Sequence, residues 1–80
     1  MQLPSVVRIS NDRMRESVRT TEEALRLIDR ELPEELRRLP RWTFARELLE
    51  VAARSGKKKD MTAAVRQLTQ ALSNEGWLAA

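Results

Sequence analysis

The chain has 80 residues, which bounds it to one small domain with a modest core, and it contains neither His nor Cys. That composition removes the commonest general base, thiolate chemistry, disulfides and soft-metal ligands together. Its net charge is +3, from 15 bases interleaved with 12 acids, so sign alternation rather than a single basic block dominates the surface.

Residues 1–4 read as a flexible lead-in, and residues 5–19 as a β-hairpin. Val7 and Ile9 alternate with Val6, Arg8 and Ser10. Asn11-Asp12 signals the turn, and Met14 and Val18 alternate with Arg15, Ser17 and Arg19. Arg8, Arg15 and Arg19 are expected to share the outer face. Residues 20–78 form the helical part. Thr20 with Glu23 three residues on is a capping box. Ala24, Leu25, Leu27, Ile28 and Leu32 supply the apolar face of that helix, and Pro33 stops it.

Glu34–Arg41 reads as a connector with room for one helical turn, ended by Pro40. A second helix follows over WTFARELLEVAARS (42–55), with Phe44, Ala45, Leu48, Leu49, Val51 and Ala52 as its inward stripe, Thr43 as a cap and Gly56 as its C-terminal stop. Gly56–Lys59 reads as an exposed loop and Asp60 as the N-cap of the last helix. Met61, Ala64, Val65, Leu68, Ala71 and Leu72 line that helix, and Trp77-Leu78 fold back onto the body. The order is β-β-α-α-α: an α+β domain with three helices packed on one face of a two-stranded hairpin.

This order and several short segments resemble a small bacterial family known as domain of unknown function family 982. The segments are VVRIS (6–10), TTEEAL (20–25), Leu32-Pro33, Ala45, and AAVRQLTQAL (63–72) with Arg66 in the place of a characteristic arginine. The resemblance spans about Val6 to Trp77. It implies the fold and no established activity.

No catalytic, cofactor or metal residues are assigned. The adjacent carboxylates Glu22/Glu23 and the pair Glu47/Glu50 lie beside arginines on polar helix faces, as ordinary solvated ion pairs do. No Asp-rich loop has calcium-site spacing. Two binding readings remain. The first is a protein-interaction or self-associating module: the hairpin has open edges that invite pairing, and Val7, Trp42 and Trp77 are its candidate contacts. The second is nucleic-acid or anion binding through Arg37, Arg38 and Arg41 of the connector, Lys57, Lys58 and Lys59 of the loop, and Arg66. In that reading the last helix also presents Gln67, Thr69, Gln70, Ser73 and Asn74. No apolar run is long enough to span a membrane and the N-terminus has no signal-peptide pattern, so a cytoplasmic, soluble protein is expected.

Overall fold

The computed structural model describes residues 1–79. Its elements are β1 (Gln2–Ser10), β2 (Arg15–Thr20), α1 (Thr21–Glu31), α2 (Glu34–Arg37), α3 (Pro40–Ser55) and α4 (Lys58–Glu75). This is the α+β layout expected, with the connector's helical turn present as α2.

The strands pair antiparallel, Val7 with Val18, Ile9 with Glu16 and Ser10 with Arg15. The side chain of Asn11 makes the turn: its Oδ1 accepts from the backbone N–H of Arg13 at 2.7 Å and of Met14 at 2.9 Å. Period-two alternation sends Val7, Ile9 and Val18 into the core and leaves Arg8, Arg15, Ser17 and Arg19 exposed.

The expected lead-in is corrected. Met1 to Pro4 is part of the sheet system, because Gln2 pairs with Thr20 across a bulge that absorbs Leu3 to Val6. Pro4, which has no N–H for a ladder, falls inside that bulge. The bulge turns Leu3 into the core. The Met1 carbonyl accepts from Thr21 N–H at 2.8 Å, and the Met1 ammonium meets Glu22 at 2.5 Å.

The capping box of α1 is complete: Glu23 N–H donates to Thr20 Oγ1 at 3.0 Å, and Thr20 N–H donates to Glu23 Oε1 at 3.1 Å. Two other boundaries differ from expectation. Pro40 opens α3 instead of preceding it, since its fixed φ and missing N–H suit the first helical position. Thr43 consequently caps nothing, and its hydroxyl donates to the Pro40 carbonyl. The lysine loop shrinks to Gly56-Lys57, with Lys58 and Lys59 already helical and Lys57 at the N-cap. Asp60 sits inside the first turn and accepts from Ser55 Oγ at 2.6 Å, clasping the two helices where they join.

α1 packs on β2, α4 packs on β1, and α3 packs on α1 and α4. Trp42, Ala45, Leu49 and Ala52 of α3 meet Ala24, Leu27 and Ile28 of α1 and Met61, Ala64, Leu68, Ala71 and Leu72 of α4 in one core. After the αL glycine Gly76, Trp77 to Ala79 return along β1. Ser10 N–H donates to the Trp77 carbonyl at 2.8 Å, Ala79 N–H donates to the Arg8 carbonyl at 3.0 Å, and Ile9 bridges Leu78.

Candidate functional site

The connector arginines do not form one patch. Arg37 donates to the Asp29 carbonyl, Arg38 pairs with Glu34 at 2.9 Å, and Arg41 pairs with Glu75 at 3.1 Å. Arg41 is tied further by its carbonyl, which accepts from Gln67 Nε2, while its Nε is buried without a partner. Arg37 and Arg41 thus belong to contacts between helices, and Arg38, the C-cap of α2, to an exposed i,i+4 pair along that helix. Lys58, Lys59 and Arg66 do come together, with Thr62 and Ala63, on the exposed side of α4's first turns. Lys57 lies apart at the N-cap.

α3 and α4 run antiparallel along their whole length. Ser55 at the end of α3 touches Asp60 at the start of α4, and Arg41 and Trp42 at the start of α3 touch Glu75 at the end of α4. Helices of a helix-turn-helix cross at roughly 90–120° and part at their far ends. Here the far ends are bonded together, so the pair is an αα-hairpin.

Two of the three candidate interface residues lie inside and the third, Trp77, is half-buried. Val7 is 2% exposed and Trp42 0%, and Trp77 packs against the core. Val7 faces the helices because it shares a strand face with Ile9, and its backbone pairs inward with Val18. Trp42 can be fully buried because its indole N–H finds an acceptor in the partly buried Glu75. The β1 edge is also partly closed, by residues 77–79 over Arg8 to Ser10, and Pro4 and the bulge disrupt the remainder.

A surface that the sequence reading assigned to the core is exposed instead. Phe44 is 50% exposed and Val51 38%, with the half-buried Leu48 between them. At about 100° per residue, Trp42, Ala45, Leu49 and Ala52 span one arc, and Phe44, Leu48 and Val51 span another roughly 100° away. Placing Trp42 on the inward arc would have separated the two. Glu47 and Arg54 flank the exposed row. Neither takes part in the ion pairs among the described residues, which use Glu22, Glu34, Glu75, Asp29 and Glu50 as acids and Met1, Arg38, Arg41 and Arg46 as bases.

The outer hairpin face carries Arg8, Arg15 and Arg19, all exposed as expected. They too stand outside those ion pairs. On the helix-facing side, a groove between β2 and α1 alternates Glu16, Glu23 and Glu31 with Arg26 and Arg30 over a floor of Val18 and Leu27. One carboxyl is strongly perturbed: the Met1 ammonium, then the Thr21 hydroxyl, hold Glu22 down to about 2. Among the described residues no group of three or more Asp or Glu side chains is placed to hold a metal, and no helix is long and apolar enough to cross a membrane. Comparison with known proteins finds no matching family model, no matching curated protein and no matching solved structure.

Proposed function

We propose that the chain is a non-catalytic interaction domain that pairs with a second copy of itself through the outer face of α3. The observation that carries this reading is the exposed pair Phe44 and Val51, joined by the half-buried Leu48, on a helix whose opposite side is fully packed. Such a row, uncovered in the monomer, favours burial against an equivalent surface.

The charges beside the row select a second copy as the occupant. Glu47 and Arg54 lie seven residues, or about two turns, apart on the same side of α3. A two-fold axis near Glu50-Val51 turns one α3 antiparallel to the other and sets Glu47 of each copy against Arg54 of the other. Residue i then meets j and j meets i, as a closed two-fold interface requires. Val51 of each copy then lies nearest the axis with Leu48 beside it, and each Phe44 packs toward the far end of the facing helix, beyond Arg54. The surface is small, so the dimer is a weak, transient one.

Three features support the accompanying readings. Without His, Cys or Tyr, a nucleophile has few activating groups, which supports a non-catalytic role. A cysteine-free chain has no disulfide to form, which suits the cytoplasm. The likeness to domain of unknown function family 982 rests on the order and residues of VVRIS, TTEEAL and the Arg66 helix.

Charge reversal tests the pairing. Glu47→Arg or Arg54→Glu alone should weaken self-association by at least several-fold, and the double variant should restore it. A double variant as weak as the sum of the singles would contradict the antiparallel arrangement.

A further inference from the structure

The outer face of the hairpin carries a second surface that the α3 pairing does not use. The register puts Arg8 opposite Ser17, with Arg15 and Arg19 two residues to either side of Ser17 on the same face. Each diagonal neighbour is about 7–8 Å away, and Arg15 and Arg19 are about 13 Å apart along the strand. Among the described residues this face contains no acid: Asp12 is in the turn, and Glu16, the one acid on β2, shares the opposite face with Val18. Three arginines thus share one strand face with no carboxylate paired to any of them among the described residues. In the helical part Arg38, Arg41 and Arg46 each have an acidic partner, while Arg26, Arg30, Arg37, Arg54 and Arg66 also stand outside the ion pairs among the described residues. What distinguishes the hairpin arginines is that they share one acid-free face.

We propose that Arg8, Arg15 and Arg19 form a binding face for the phosphate backbone of double-stranded nucleic acid. All three are arginines, whose planar forks bind phosphate through two parallel hydrogen bonds where a lysine offers a point charge. Mutual repulsion on the free face is relieved when anions bind between them. Ser10 and Ser17, on the same side, add short hydroxyl donors. Trp42 and Phe44 lie on α3, and Trp77, in the segment after α4 that runs beside β1, packs against the core, so the face has no aromatic platform on which unpaired bases would stack. It therefore contacts backbone and not bases, and binds duplex without sequence preference.

The test is fluorescence anisotropy of a labelled DNA duplex titrated with the full chain. Neutralising about three phosphates predicts a log–log salt slope near −2.7, or about 40-fold weaker binding at 200 mM than at 50 mM salt. Arg8→Gln, Arg15→Gln and Arg19→Gln should each reduce the slope by about one, and the triple variant should lose binding. Each variant changes an exposed side chain, and an unchanged circular-dichroism melt verifies its fold. If the triple variant fails to fold, the three single slopes decide the matter. A second variant, Lys57, Lys58 and Lys59 all to Gln, should bind as the wild type does. The proposal is overturned by absence of duplex binding at 50 mM salt, by retention of binding in the triple arginine variant, or by loss confined to the lysine variant. Binding to anionic phospholipid vesicles without binding to duplex overturns it as well and reassigns the face to a membrane surface. These variants leave α3 untouched, so this result and that of the self-association test are independent.

Discussion

The indole N–H of Trp42 donates to Glu75 Oε2 at 3.0 Å, and Arg41 Nη2 donates to the same oxygen at 3.1 Å. One carboxylate oxygen thereby ties the first turn of α3 to the last residue of α4. The contact explains how a tryptophan with a polar N–H is completely buried. It also completes a hairpin whose other end is held by Ser55 and Asp60. Trp42→Phe keeps most of the apolar volume, removes the donor and should cost about 1–3 kcal/mol. Glu75→Gln keeps an acceptor for the indole and loses the Arg41 charge, so it should cost less than Glu75→Ala. Thermal melts of the three variants check the order; Glu75→Ala as stable as wild type would show that this contact does not hold the helices together.

The capping box at the hairpin–helix junction carries its own stability. Thr20 serves as the last residue of β2 and as the N-cap of α1. Thr20→Ala should destabilise by about 1 kcal/mol, through loss of the acceptor for Glu23 N–H. Thr20→Ser, which keeps that acceptor, should recover most of the loss in a urea titration.

Acid stability should depend on Glu22. Its carboxyl is depressed in the folded state from an ordinary value of 4.5 to about 2, chiefly by the Met1 ammonium and secondarily by Thr21. A depressed carboxyl contributes stability above its unfolded value and loses it as pH falls toward the folded one. This contribution should therefore be fully present above about pH 5 and disappear between about pH 4.5 and 2. Both partners are substantially exposed, so added salt should shrink the effect. Glu22→Gln should flatten the stability profile across that window; an unchanged slope would dismiss the ion pair.

What was legible in the sequence was local. The Asn11 turn, the Thr20/Glu23 box, the stop at Pro33 and the αL glycine Gly56 are each signalled within a few residues and stand where expected. What was missed depended on distant partners. Leu3 enters the core through a bulge set against Arg19 and Thr20. Arg41 reads as a free cation until Glu75, 34 residues away, is folded against it. Pro40 carries the same fixed φ whether it ends one segment or starts the next, and it starts α3. The α3 sequence is apolar on two arcs, and only the positions of α1 and α4 decide that Trp42 and Ala45 go in while Phe44 and Val51 stay out. The interface residues chosen from sequence, Val7 and Trp42, were large apolar groups of the kind that a small core takes first.

The central claim is that α3 is the self-association face, and sedimentation equilibrium over a wide concentration range tests it most directly. Wild-type protein should rise from the 9.3 kDa of one chain toward twice that mass, while Phe44→Ser/Val51→Ser, which alters only exposed positions, should remain monomeric with an unchanged melting temperature. A wild-type chain that stays monomeric at millimolar concentration, or a dimer that persists in the double variant, would contradict the account.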